Sequence, residues 1–123
     1  MPYNWGPLFI VPTEVSQVYS GTILLREDLD RDLLTKQLAE LNIKGPVIRI
    51  TNPWYFRKKG QSTWIKIGES EDQDTFFPVR WDTTALDDGE YEVMGFMHVF
   101  VKQESGQEIS IARQNAVDVT VKN

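Results

Sequence analysis

The 123-residue chain contains no cysteine. Disulfides, thiolate metal sites, iron–sulfur clusters and cysteine nucleophiles are thereby excluded. It has a single histidine, His98. Sites that need two histidines are excluded with it, and no local motif supports a Ser/His/Asp arrangement. No apolar run nears the ~20 residues that cross a bilayer as a helix. The glycines stand singly, so no glycine-rich loop is present to cradle a phosphate. No low-complexity tract and no repeat stands out. Basic residues are outnumbered 13 to 18, for a net charge of −5, which argues against a nucleic-acid partner.

The opening stretch MPYNWGPLFIVPTEV lacks the basic n-region of a signal peptide, and its apolar run is short and bounded by prolines. A native Met1 would keep the protein inside the cell. A removed leader would place it in the periplasm or outside. The compartment is therefore left open.

What is present suits a β-rich domain: four Trp, four Tyr and six Phe in a chain of single-domain length. Residues 1–45 read as an N-terminal extension, and 46–123 as a run of short strands. Leu29, Leu33, Leu34, Leu38 and Leu41 recur at helical spacing. They predict a helix over 30–42, capped by Asp28 or Asp30 and stopped by Gly45-Pro46. After it, PVIRIT reads as a strand broken at Asn52-Pro53. WYFRKKGQSTWIKIGE reads as a hairpin, and TFFPVRW as an edge or bulged strand around Pro78. In the last strand Val117, Val119 and Val121 share one face, and Asp118, Thr120 and Lys122 the other.

YEVMGFMHVFVK, residues 91–102, is apolar on both parities. Tyr91, Val93, Met97, Val99 and Val101 suit a core. Met94, Phe96, His98 and Phe100 make a second greasy face that needs a cover, because large exposed apolar patches mark interfaces. The leucine stripe of the helix is the expected cover, and a partner surface the reserve.

The tract VRWDTTALDDGEYEV resembles the pattern xWDTxxLxDGxYxV of bacterial Ig-like and fibronectin type III-like domains. Trp81, Leu86, Gly89 and Tyr91 are its structural corner, with Tyr91 placed to return its hydroxyl to upstream backbone. The resemblance covers about 46–122. It implies an antiparallel β-sandwich, here with one added α-helix packed on a sheet face. Members of that family are mostly spacers, adhesion modules or accessory domains, so it implies no catalysis.

Candidate chemistry is thin. Asp28, Asp30 and Asp32 have the spacing that opens an EF-hand loop. Leu33, however, stands where glycine is needed, and Glu40 falls one place late, so these acids read as a helix start. Glu69, Glu71, Asp72 and Asp74 form an acidic loop that either holds calcium or simply stays wet. RKKG at 57–60 reads as a solvated hairpin tip. Trp54, Tyr55 and Trp64 form either a sugar-stacking surface or core. Trp5 and Phe9 could anchor a contact made by the N-terminal tail. The reading is a non-catalytic structural or protein-binding module, a subunit, adaptor or accessory domain. It needs no cofactor or metal, and its partner is another protein or a second copy. Carbohydrate binding through the 54–68 hairpin is the alternative.

Overall fold

The computed structural model describes residues 8–9, by backbone alone, and 18–123. The protein is mainly β. A curled five-stranded sheet carries a smaller two-stranded sheet and one helix against the same face.

The large sheet is built on its two longest strands. β8 (Gly89–Lys102) pairs antiparallel with β9 (Glu108–Val121) along their whole length. Gly106, at a φ of 86°, closes the turn between them by donating to Gln103 O. β5 (Val47–Lys58) flanks β8 on the other side, and β6 (Ile65–Ser70) pairs with the second half of β5. The two-residue β2 (Val18–Tyr19) completes the sheet as a parallel neighbour of β9. The smaller sheet is β3 (Thr22–Leu25) with β7 (Val79–Asp82). A short ladder joins β1 (Leu8–Phe9) to β4 (Glu27–Asp28). The segment before residue 46 is thus woven into the fold, with Tyr19 and Leu25 in the same buried cluster as Trp54 and Trp81.

The helix α1 spans Arg31–Glu40. Asp30 caps it by accepting from Leu33 N at 3.1 Å. Its end is not Gly45-Pro46 but Asn42, in the left-handed region at φ 56°. There Asn42 N donates to Ala39 O and Ile43 N to Leu38 O, a Schellman closure that satisfies the last carbonyls.

Two strand expectations are corrected. β5 runs straight through Asn52-Pro53, with the same register against β8 on both sides. One missing N–H costs one ladder bond, not the strand. Conversely, Phe76 and Phe77 are not in a strand. Both have positive φ, 68° and 51°, and β7 starts only after Pro78. Their turn is held by Phe76 N to Gln73 O and Phe77 N to Asp72 O.

Strand parity decides the core. Odd residues of β8 share the inner face with Ile50, Asn52 and Trp54 of β5 and the valines of β9. One half of this face, around Tyr91 and Val93, packs under Leu25, Val79 and Trp81 of the small sheet. The other half, at Met97, Val99 and Val101, packs under Leu29, Leu34 and Phe77. The helix therefore covers the odd face of β8. The expectation that it seals Met94, Phe96, His98 and Phe100 is overturned. Leu41, assigned to that seal, is 51% exposed. The physical reason is competition: the small sheet is too short to cover fourteen-residue strands, and the leucines fill the remainder of the same core.

Candidate functional site

The outer face of the large sheet carries the even residues of β8. Phe96, His98 and Phe100 are half-buried, and Met94 is buried at 7% exposure among its neighbours. The rings form one strip. Phe96 and His98 lie 4.4 Å apart between centroids, and His98 and Phe100 stack at 6.4 Å. His98 Nδ1 lies 3.2 Å from Phe96 O. In the register, Ala112 and Thr51 sit beside His98, and Ala116 and Tyr55 beside Met94. The small sheet β3–β7 and the helix α1 both pack on the inner face.

Charged residues frame this strip. Arg49 lies over the Phe100 ring, 4.0 Å from its centroid, and reaches across β8 to Glu108 at 3.2 Å. Arg57 lies over Trp64 and pairs with Glu92 at 3.0 Å. Lys59 pairs with Asp118 at 2.9 Å. In all three pairs the cation belongs to β5 or the turn after it, and the anion to β8 or β9. The Arg49 and Lys59 pairs are about half exposed and contribute little to monomer stability, at most about 1 kcal/mol each; the Arg57–Glu92 pair is more covered, at 27% and 22% exposure.

The inner face holds the opposite anomaly. Between its two apolar clusters lies Glu27, 0% exposed. Neither carboxyl oxygen has a hydrogen-bond partner, and neither does the side-chain amide of Asn52, also 0% exposed. Burial pushes the Glu27 carboxyl up to about 9; the Asn52 side chain, close by but not in hydrogen-bond geometry, pulls the other way. The carboxyl occupies the space where a β-carbon on Gly95 would stand. The Glu27 main chain is anchored by its N–H to Phe76 O at 2.9 Å, the carbonyl of the first left-handed phenylalanine. A second strut is Trp54 Nε1, which donates to Phe77 O at 3.1 Å.

The predicted site residues thus divide. Met94, Phe96, His98, Phe100 and Tyr55 come together on the outer face, with Trp64 at its margin against Arg57. Trp54 does not join them. It is 1% exposed in the inner core, on the opposite side of the sheet, so it forms no stacking surface with Trp64. Trp5 lies outside the described residues, and Phe9 is placed only by its backbone pairing with Glu27. At the corner, the Tyr91 hydroxyl donates to Asp87 O at 2.8 Å, Leu86 packs against the core, and Gly89 has a φ of 150°. In the acidic loop Asp72 accepts from Asp74 N as a turn cap. Among the described residues no group of three or more acids or histidines is arranged to hold a metal, and no helix is long and apolar enough to cross a membrane.

Sequence reasoning missed Glu27, Asn52 and Gly95. Two signals were there: Gly95 interrupts the bulky odd parity of β8, and Asn52 shares parity with Ile50 and Trp54. A shallow groove of about 450 Å³ beside α1, lined by Leu38, Ile43 and Val47, was also not foreseen. Compared with known proteins, the chain matches no family model and no curated protein.

Proposed function

We propose that the chain is a non-catalytic protein-binding module that docks through the outer face of its large sheet. The observation that carries this reading is the half-buried ring strip at Phe96, His98 and Phe100, framed by charge. An apolar centre with a polar rim is the anatomy of a protein interface. A two-layer arrangement of the Ig-like or fibronectin type III-like kind agrees with such a role, since it displays one sheet face as a platform. The test is a photo-crosslinking residue placed at position 96 in the protein expressed in its native host. A discrete protein adduct that disappears on His98→Asp supports the module. No adduct, or one indifferent to His98→Asp, removes this reading.

A further inference from the structure

The charge around the ring strip has a direction. Arg49, Arg57 and Lys59 stand along the β5 flank; Glu108 and Asp118 stand on the β9 flank, and Glu92 lies between them on β8, tied to Arg57. A face with one basic and one acidic flank is self-complementary under only one of the two ways a two-fold axis can lie in its plane. With the axis across the strands, β5 lies over β5 and like charges meet. With the axis along β8, β5 of one copy lies over β9 of the other, so the basic flank meets Glu108 and Asp118; Glu92, on the axis strand, meets its own copy and relies on Arg57 to offset the repulsion. The ring strip then stacks on its own copy, with the two β8 strands pointing the same way.

We infer that the occupant of the outer face is a second copy of this chain, related by a two-fold axis parallel to β8. This rests on the protein-binding reading above and names its partner. The size is adequate. Three central strands spaced about 4.8 Å apart and roughly 45 Å long present on the order of 650 Å² per copy, within the range of stable pairs once both sides are counted. The contact is isologous, so a single apolar strip supplies both halves of the dimer core. The flanks add orientation: a copy reversed over its partner lays β5 over β5, and the basic flank then meets its like.

The cysteine-free chain makes the geometry directly testable. The purified full chain should sediment as a dimer with a dissociation constant of about a micromolar or tighter. His98→Asp should weaken it by roughly a hundredfold, because two carboxylates then face each other in a dry centre. Phe96→Cys and Phe100→Cys should each be joined to their own copies by a short homobifunctional thiol-reactive linker that spans the roughly 10 Å between packed sheets. Both can be joined only if the two β8 strands run side by side in the same direction. Arg49→Cys and Ser110→Cys, which flank Phe100 in one row, should crosslink when mixed and not when alone. Circular dichroism confirms that each variant is folded. Purified protein that stays monomeric overturns the self-pairing. If position 96 still captures a different protein in the host, the module reading survives without it; if it captures nothing, both fail. A dimer that ignores His98→Asp but is lost in Ile48→Lys pairs through the exposed start of β5 and also overturns the inference.

Discussion

The inner and outer faces of the large sheet each hold what the other would be expected to hold. The inner face seals a carboxyl with no partner. The outer face leaves three rings partly exposed. Ordinary folding chemistry explains neither: a buried carboxyl without a hydrogen bond destabilises, and exposed rings forfeit burial. What differs is the direction of the cost. The inner anomaly is charged to the stability of the monomer. The outer anomaly costs the monomer little and is recovered only when something covers it. Substitutions should therefore separate the faces by magnitude and by readout.

The largest effect belongs to the inner face. Trp54→Ala empties the centre of the first core cluster and frees Phe77 O from its donor. A loss of about 3–5 kcal/mol in chemical denaturation is expected. A loss below about 1 kcal/mol would mean that the tryptophan is not the strut between the large sheet and the Phe76–Phe77 turn.

Next is the pH dependence set by Glu27. Its folded-state value, pushed to about 9 from 4.5, means the native state holds the proton more tightly than the unfolded chain. Stability is then full below the ordinary carboxyl range and is lost progressively until pH passes about 9. Between pH 5 and 7 the loss should be roughly 3 kcal/mol. Glu27→Gln should remove this slope and raise the melting temperature at neutral pH. Parallel pH profiles for the two proteins would show that the carboxyl finds water or a counter-charge.

Gly95→Ala should cost about 1–3 kcal/mol, since its methyl group competes with the Glu27 carboxyl for one space. In the Glu27→Ala background the same change should cost much less, a coupling readable in a double-mutant cycle. Additive costs would separate the glycine from the carboxyl. Smaller again is Tyr91→Phe, which removes the 2.8 Å bond to Asp87 O and should cost about 1 kcal/mol.

Much of the architecture was legible because period two is unambiguous where one parity is polar. In β9, Val117, Val119 and Val121 fall inward with Asp118 and Thr120 opposite, as their sequence says. In β8 both parities are apolar, so the sequence marks two faces without saying which one the leucines of α1 will choose. That choice depends on the small sheet, which covers only the Tyr91 end of the inner face. Glu27 was illegible for a related reason. Within REDLDRD it reads as one more acid at a helix start, and its burial comes from Gly95 on a strand more than sixty residues away. Phe76 and Phe77 read as strand by propensity. Their left-handed turn is imposed by the fold, through Glu27 N and Trp54 Nε1.

The sharpest contrast lies at Phe96. Phe96→Ser removes a ring that touches His98 and water. No sealed cavity forms, so the change in unfolding free energy should stay at about 1–2 kcal/mol, below that of Trp54→Ala, when measured at protein concentrations too low for association. At high concentration the same substitution should abolish the dimer, and with it any dependence of the wild-type melting temperature on concentration. A half-buried ring in an ordinary monomer surface would behave differently: its removal would leave the melting temperature equally indifferent to concentration before and after. A Phe96→Ser protein that loses several kcal/mol more than this as a monomer would instead make the outer face an interior one.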